Sequence, residues 1–255
     1  MSILELSITL DNLTEEIADG MQALREEGPD SGRVLEVCSR FRQLGCGLLL
    51  ADLDTDGFQH SLYRSAHLYL WLLEQRDTHS ELDAYYLCKS QAQPLLDALA
   101  LGQLELARRI GRKMMPSWAP RMEPEEDFHY FDLLAGPLLE QHQDEGMLAR
   151  FEHSLQGDAS ARFDAVGALV RRDEEGFWQA LSSLTREWEE GIEEDCNSGS
   201  VEPSFEQTEA HVFIEGLALV RLAESRGISR RERLPFIPSE AFQPVSEPFP
   251  EDLTP

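Results

Sequence analysis

The sequence is short of basic residues: 22 Lys and Arg stand against 48 Asp and Glu, a formal net charge of −26 over 255 residues. Such a surface repels phosphate backbones and anionic lipid headgroups, so nucleic-acid and membrane binding are not expected. It attracts basic proteins over long range. Charge of this size also serves plain solubility, so by itself it names no partner. Cysteine is sparse as well. Cys38, Cys46, Cys88 and Cys196 are far apart and form no CxxC, which argues against a zinc knuckle or a disulfide framework and suits a reducing cytoplasm. No apolar run approaches the roughly 18–20 residues that span a bilayer; the best, residues 44–53, is interrupted by Gly45, Gly47 and Asp52. The opening MSILELSITLDNLTEE carries Glu5 and Asp11 and no basic segment, so no secretory signal is expected there.

The usual signatures of catalysis are also missing. No GxSxG elbow, phosphate-binding GxxxxGK[ST], GxGxxG fingerprint or HExxH pair occurs. Glu126-x-x-His129 has the spacing of carboxylate-bridged diiron bundles, but those need a second copy and two further glutamates, and the chain has no second ExxH. Asp54-Thr55-Asp56-Gly57 begins like a calcium loop, yet Phe58, His60 and Leu62 occupy the later ligand positions. His60 and His67 share a helix face but lie two turns apart, too far to bind one metal. No catalytic residue, metal site or cofactor is assigned, and the expectation is a protein that is not an enzyme.

What the chain does have is apolar residues at helical spacing almost throughout. Residues 2–10 alternate apolar and polar and read as a short strand or an arm. A helix opens at Thr14 and stops before Gly28-Pro29. The next is capped by Ser31 and contains Gly45 and Gly47, each costing about 1 kcal/mol against Ala in a helix interior and read as points of close packing. Asp54 offers a cap to the aromatic-rich helix 58–75. Residues 80–102 read as a helix that restarts at Pro94, and residues 103–113 as its return. After a Met-Pro loop, an acidic entry leads into a helix from Phe128 to Leu139. Short helices follow at 145–155 and 160–171, then an Asp173-capped helix running toward Asp195 and a small-and-polar linker at 196–203. Residues 209–228, EAHVFIEGLALVRLAESRGI, read as the long buried helix on which the others stack, closed by Gly227. The prolines at 235, 238, 244, 248, 250 and 255 make the end an extended tail. The expected fold is all-α: one domain of stacked antiparallel helical hairpins over residues 1–234, an irregular tetratricopeptide-like array, with a Pro-rich tail at 235–255.

Two acidic clusters are the candidate sites. Glu187, Glu189, Glu190, Glu193, Glu194 and Asp195 put six acids into nine residues with no base among them. They repel one another at i,i+4 and crowd the negative end of a helix dipole. A solvated, fraying helix end is one reading; a docking surface for a basic protein is the other. Glu123, Glu125, Glu126 and Asp127 form a second cluster open to the same two readings.

Three stretches taken together, ALALGQLELARRI, ALVRRDEEGFWQALSSLTREW and HVFIEGLALVRLAESRGI, resemble the all-helical immunity proteins of bacterial polymorphic toxin systems, most closely the immunity protein 49 family. The resemblance covers roughly residues 95–228. It implies a non-enzymatic antidote that binds a cognate protein toxin, which in many such systems is a nuclease with a basic cleft. It supplies no catalytic residues and fixes no binding surface. On this reading the partner is a basic toxin, bound by a monomer or weak dimer in the cytoplasm. A helical adaptor or chaperone for a secretion apparatus is the alternative, and a metal-dependent helical-bundle enzyme a third.

Overall fold

The first helix starts earlier than the alternation at its front suggests. The computed structural model describes residues 3–140, 144–250 and 254–255, and α1 runs from Ile3 to Glu27. Leu6, Leu13, Ile17 and Leu24 are buried along it, a helical stripe that overrides the period-two look of residues 2–10. No arm or strand forms there; Ser2 itself lies outside the described residues. Thr14 sits in mid-helix, its hydroxyl donating to the Leu10 carbonyl, and does not open the helix.

α2 (Ser31–Asp52) and α3 (Thr55–Gln75) follow after short connections, and α1, α2 and α3 pack in sequence. The cap of α2 is Asp30, which accepts from Arg33 N, one residue before the expected Ser31. Ser31 instead ties down the next loop by accepting from Asp83 N at 3.1 Å. Asp54 caps α3 as expected, accepting from Gly57 N at 2.8 Å. The two glycines of α2 are where its neighbours come closest. A Cβ on Gly45 would stand 3.0 Å from the Phe58 carbonyl oxygen, and one on Gly47 would stand 2.4 Å from Leu10 Cδ2. Gly45→Val is therefore expected to lower stability by about 1–3 kcal/mol, because backbone of α3 blocks the new side chain. A urea midpoint unchanged by that substitution would contradict the close packing.

Residues 80–92 do not form the expected helix. They carry two 3₁₀ turns, Ala84–Leu87 and Lys89–Gln91, and helix resumes as α4 (Gln93–Ala100) with Pro94 in its first turn, where the missing N–H costs nothing. α5 (Leu104–Lys113) returns, and α6 (Glu125–Ala135) ends at Gly136, so Leu138 and Leu139 are buried but outside the helix. α7 (Glu145–Ser154) and α8 (Ala161–Arg171) precede α9, which spans Glu174–Ser198 and so absorbs the start of the expected linker at 196–203. α10 (Pro203–Gln207) is one short turn. No strand occurs among the described residues; the single bridge, Leu234 with Ile237, closes a turn.

The central helix is shorter than read. Residues 209–211 form a 3₁₀ turn, and α11 runs from Ile214 to Ser225. The break is made by tertiary structure: Phe213 N donates to the Phe236 carbonyl at 2.7 Å, not to a carbonyl one turn back. α11 is buried nearly all round, through Leu217, Ala218, Leu219, Val220, Leu222 and Ala223, and packs on α4, α8 and α9. Gly227 takes the positive φ of 88° that the sequence position calls for. Arg226 is buried and serves a neighbour: it donates to the carbonyls of Leu169 at 2.9 Å and Leu138 at 3.2 Å, satisfying the C-terminal end of α8.

Beyond α11 the chain crosses the helices again. After a 3₁₀ turn at Ser239–Phe242, the Gln243 carbonyl accepts from Gln59 Nε2 at 2.5 Å, and Ser246 N donates to Asp56 at 2.8 Å. The Phe249 ring then stacks on Tyr63 with centroids 4.1 Å apart. These contacts hold the segment against α3.

Candidate protein-docking surface

α9 begins as an ordinary core helix. Asp173 caps it by accepting from Gly176 N at 3.0 Å, and Glu174 and Glu175 meet the positive end of the dipole. Phe177, Trp178, Leu181 and Leu184 are buried at helical spacing against α8 and α11. The anchoring ends at Trp188, whose ring stacks on Phe213 at 4.9 Å and meets Phe236 edge-on at 5.0 Å. Past it the inner stripe continues only as half-buried Ile192 and Cys196. Ten residues, 189–198, therefore stand mostly in solvent, a rod of about 15 Å at 1.5 Å per residue.

All six acids of the first cluster are exposed, Glu187 just before Trp188 and the other five on this segment. Glu187, Glu190 and Glu194 line one edge, with Glu189 and Glu193 on the next. Like charges at i,i+4 cost a few tenths of a kcal/mol per pair, about 0.2–0.5. The last turn has no base to offset its dipole. The nearest cation, Arg186, reaches Glu190 only at 3.9 Å with both side chains two-thirds exposed, a pair of little energetic weight. The helix stays intact through its anchored first half and through Gly199, which ends it at φ 69°. The segment after it is fastened to the body by Arg40, which binds Glu202 and also reaches Glu16 at 2.8 Å. Gly191 has open space around it. Gly191→Ala is expected to raise stability by up to about 1 kcal/mol, by propensity alone. A lowered thermal midpoint would show that this stretch is not regular helix.

The structure does not gather the second cluster into one surface. Glu123 is buried, accepting from Ser90 N at 3.0 Å and Ala119 N at 3.3 Å, so it clasps two loops together. Asp127 pairs with Arg162 at 3.2 Å, and burial raises its pKa although Arg162 opposes the shift. Glu125 lies 3.7 Å from His129, leaving Glu126 fully open to solvent. α6 packs chiefly on α7, the 3₁₀ turn at Lys89–Gln91, α5 and α8, whereas α9 packs chiefly on α8, so the clusters lie on different helices that share α8 as a neighbour.

Two further polar networks join the helices, that of Arg42 buried and that of Arg162 partly exposed. Arg162 donates to Glu215 at 2.7 and 2.9 Å and lies over the Tyr130 ring, whose hydroxyl donates to the same carboxylate at 2.7 Å. Arg42 makes a two-pronged contact with Asp97. Asp97 and Glu215 each interrupt an otherwise apolar stretch, and a buried charge demands a partner, whereas Arg42 stands between Arg40 and Gln43 and gives no such signal. No group of three or more His, Cys, Asp or Glu able to hold a metal ion occurs among the described residues. Nor is any helix among them long and apolar enough to cross a membrane.

The described residues form an all-helical fold in which α9 ends as an exposed acidic segment. The sequence matches the immunity protein 49 family over residues 48–241, and the chain belongs to that family. Curated proteins and solved structures yield no match. The matched region runs from the end of α2 to the turn after α11, and holds both acidic clusters. It leaves α1 and most of α2 outside.

Proposed function

We propose that this protein is an antidote that binds a cognate bacterial toxin in the cytoplasm and neutralises it, using the projecting end of α9 as its docking face. Family membership supports the class, since an immunity protein works by holding its toxin. The observation that carries the surface is that six exposed acids crowd residues 187–195 of α9, five of them beyond its last anchor at Trp188, with no base among them. Such a face fits a cationic cleft of the kind that holds a phosphate backbone, so the toxin is inferred to be basic and a nuclease. Complementary fields accelerate encounter and select the partner. The protein acts by occupying the toxin and carries out no chemistry of its own.

Co-expression tests this reading. Cells making the toxin encoded beside this chain are expected to grow when the wild-type chain is present and to arrest without it. Continued arrest in the presence of well-folded chain would defeat the proposal. A secretion adaptor would instead bind the toxin and leave its activity intact, so a toxin assay in the purified complex separates the two.

A further inference from the structure

A cleft of about 330 Å³ opens between α9 and the segment 231–237, which ends in the Leu234–Ile237 turn. Its floor is apolar, built from Trp178, Leu181 and Ile237, and its rim carries Arg186, Arg231 and Arg233. Glu189 is the acid that lines it, and the same residue belongs to the acidic run of α9. Cleft and acidic edge are therefore continuous. Arg231 is partly engaged, lying 5.1 Å from the Trp178 ring centroid and 3.4 Å from Glu175. Arg233 is exposed and reaches no carboxylate among the described residues. The Trp178 ring is buried, and its indole Nε1–H has no acceptor among the described residues.

We infer that this cleft is the anchor pocket of the toxin interface and receives an apolar toxin side chain flanked by a carboxylate. The inference rests on the toxin-docking reading of α9. Charge complementarity sets the occupant. Arg186 and Arg231 lie near Glu190 and Glu175, so Arg233 is the rim cation left for a partner, and a toxin carboxylate at this point would meet it while toxin cations face Glu187, Glu190 and Glu194. Opposite charges side by side fix the register of docking and exclude partners that are merely basic. The division of labour is physical as well. Exposed acids speed encounter, whereas slow release comes from a desolvated apolar anchor, and Trp and Arg are the side chains that most often supply one.

The test measures association and dissociation rates of purified chain with the toxin encoded beside it. Ser182 is exposed and lines the cleft, so Ser182→Trp fills the cleft without changing its charge. Arg233→Glu reverses one rim charge at an exposed position. Each is expected to raise the dissociation rate by at least about tenfold; Ser182→Trp should leave association nearly unchanged, and Arg233→Glu, which makes the rim more acidic, should not slow it. If Ser182→Trp fails to fold, Arg233→Glu carries the test. Unchanged dissociation in the folded variants, while reversal of the α9 acids slows association, would overturn the anchor pocket and leave the docking face standing. Absence of any complex with the wild-type chain would overturn both. A shift in the chain's own oligomeric state with toxin binding intact would assign the cleft to a second copy, and would also overturn the inference.

Discussion

Asp97→Ala is expected to destabilise the protein by about 3–5 kcal/mol, the cost of leaving a buried charge without its partner. The Asp97 side chain is wholly inaccessible to solvent, and that of Arg42 is 8% exposed. Arg42 Nε donates to Asp97 at 2.6 Å, Nη2 donates at 3.0 Å, and Ser65 Oγ adds a third donor at 2.5 Å. Burial alone would lower the Arg42 pKa, but Asp97 and Glu209 more than reverse that and hold the guanidinium charged. Glu209 sits farther off, 3.4 Å from Nη1, and burial pushes its own carboxyl up despite Arg42. It is a poor substitute for Asp97. The network joins α2, α3 and α4 to the turn before α11, so its loss loosens the platform on which the later helices stand. Asp97→Asn keeps the shape and should cost less. The double substitution Arg42→Met with Asp97→Leu should recover only part of the loss, because it removes both members of the pair but leaves Glu209 without its cation. Urea denaturation decides it: an Asp97→Ala loss below about 1 kcal/mol would mean the pair is hydrated and not buried as described.

Reversing Glu190, Glu193 and Glu194 together to Lys is expected to slow association with the toxin by about 10–100-fold at low salt. All three are exposed, so folding should be unaffected and thermal midpoints should agree closely. The difference between variant and wild type should shrink as salt rises and the field is screened. The same reversal at Glu123 would speak to a different quantity. That residue is buried between two loops, and Glu123→Lys is expected to cost stability, with any loss of binding following from that. An acidic-face triple variant that associates at the wild-type rate would remove α9 as the docking face and leave the family assignment untouched.

Much of the helical order was legible because it depends on local chemistry. Asp54 and Asp173 cap their helices, Pro94 begins one and Gly227 ends one, all from side chains and backbone freedom within a turn. The misreadings share a cause in tertiary structure. Residues 209–213 look helical, but Phe213 N is taken by Phe236 from the tail. Residues 3–10 look alternating, but Leu6 belongs to a stripe completed by Leu13, Ile17 and Leu24 once α2 is present to receive it. The segment 84–91 tightens to 3₁₀ between its anchors at Asp83 and Glu123. Sequence placed the six acids of α9 together, and the structure adds that the helix loses its packing after Trp188 and leaves them in solvent. Acidity at 123–127 was equally visible, yet burial divides those residues among structural duties that composition does not encode. The arginine-rimmed cleft was illegible for the same reason. Arg186 and Arg233 are 47 residues apart and meet only through the turn that follows α11.

The central claim is that opposite charge brings this protein to its toxin. Its most direct test is the association rate of the wild-type chain with the toxin encoded beside it, followed by stopped flow as salt is raised from about 20 to about 500 mM, a range that shortens the screening length severalfold. The account predicts fast association at the low end, falling by more than about tenfold across the range, with toxin activity lost as the complex forms. An association rate that does not change with salt, or a complex in which the toxin remains fully active, would contradict it.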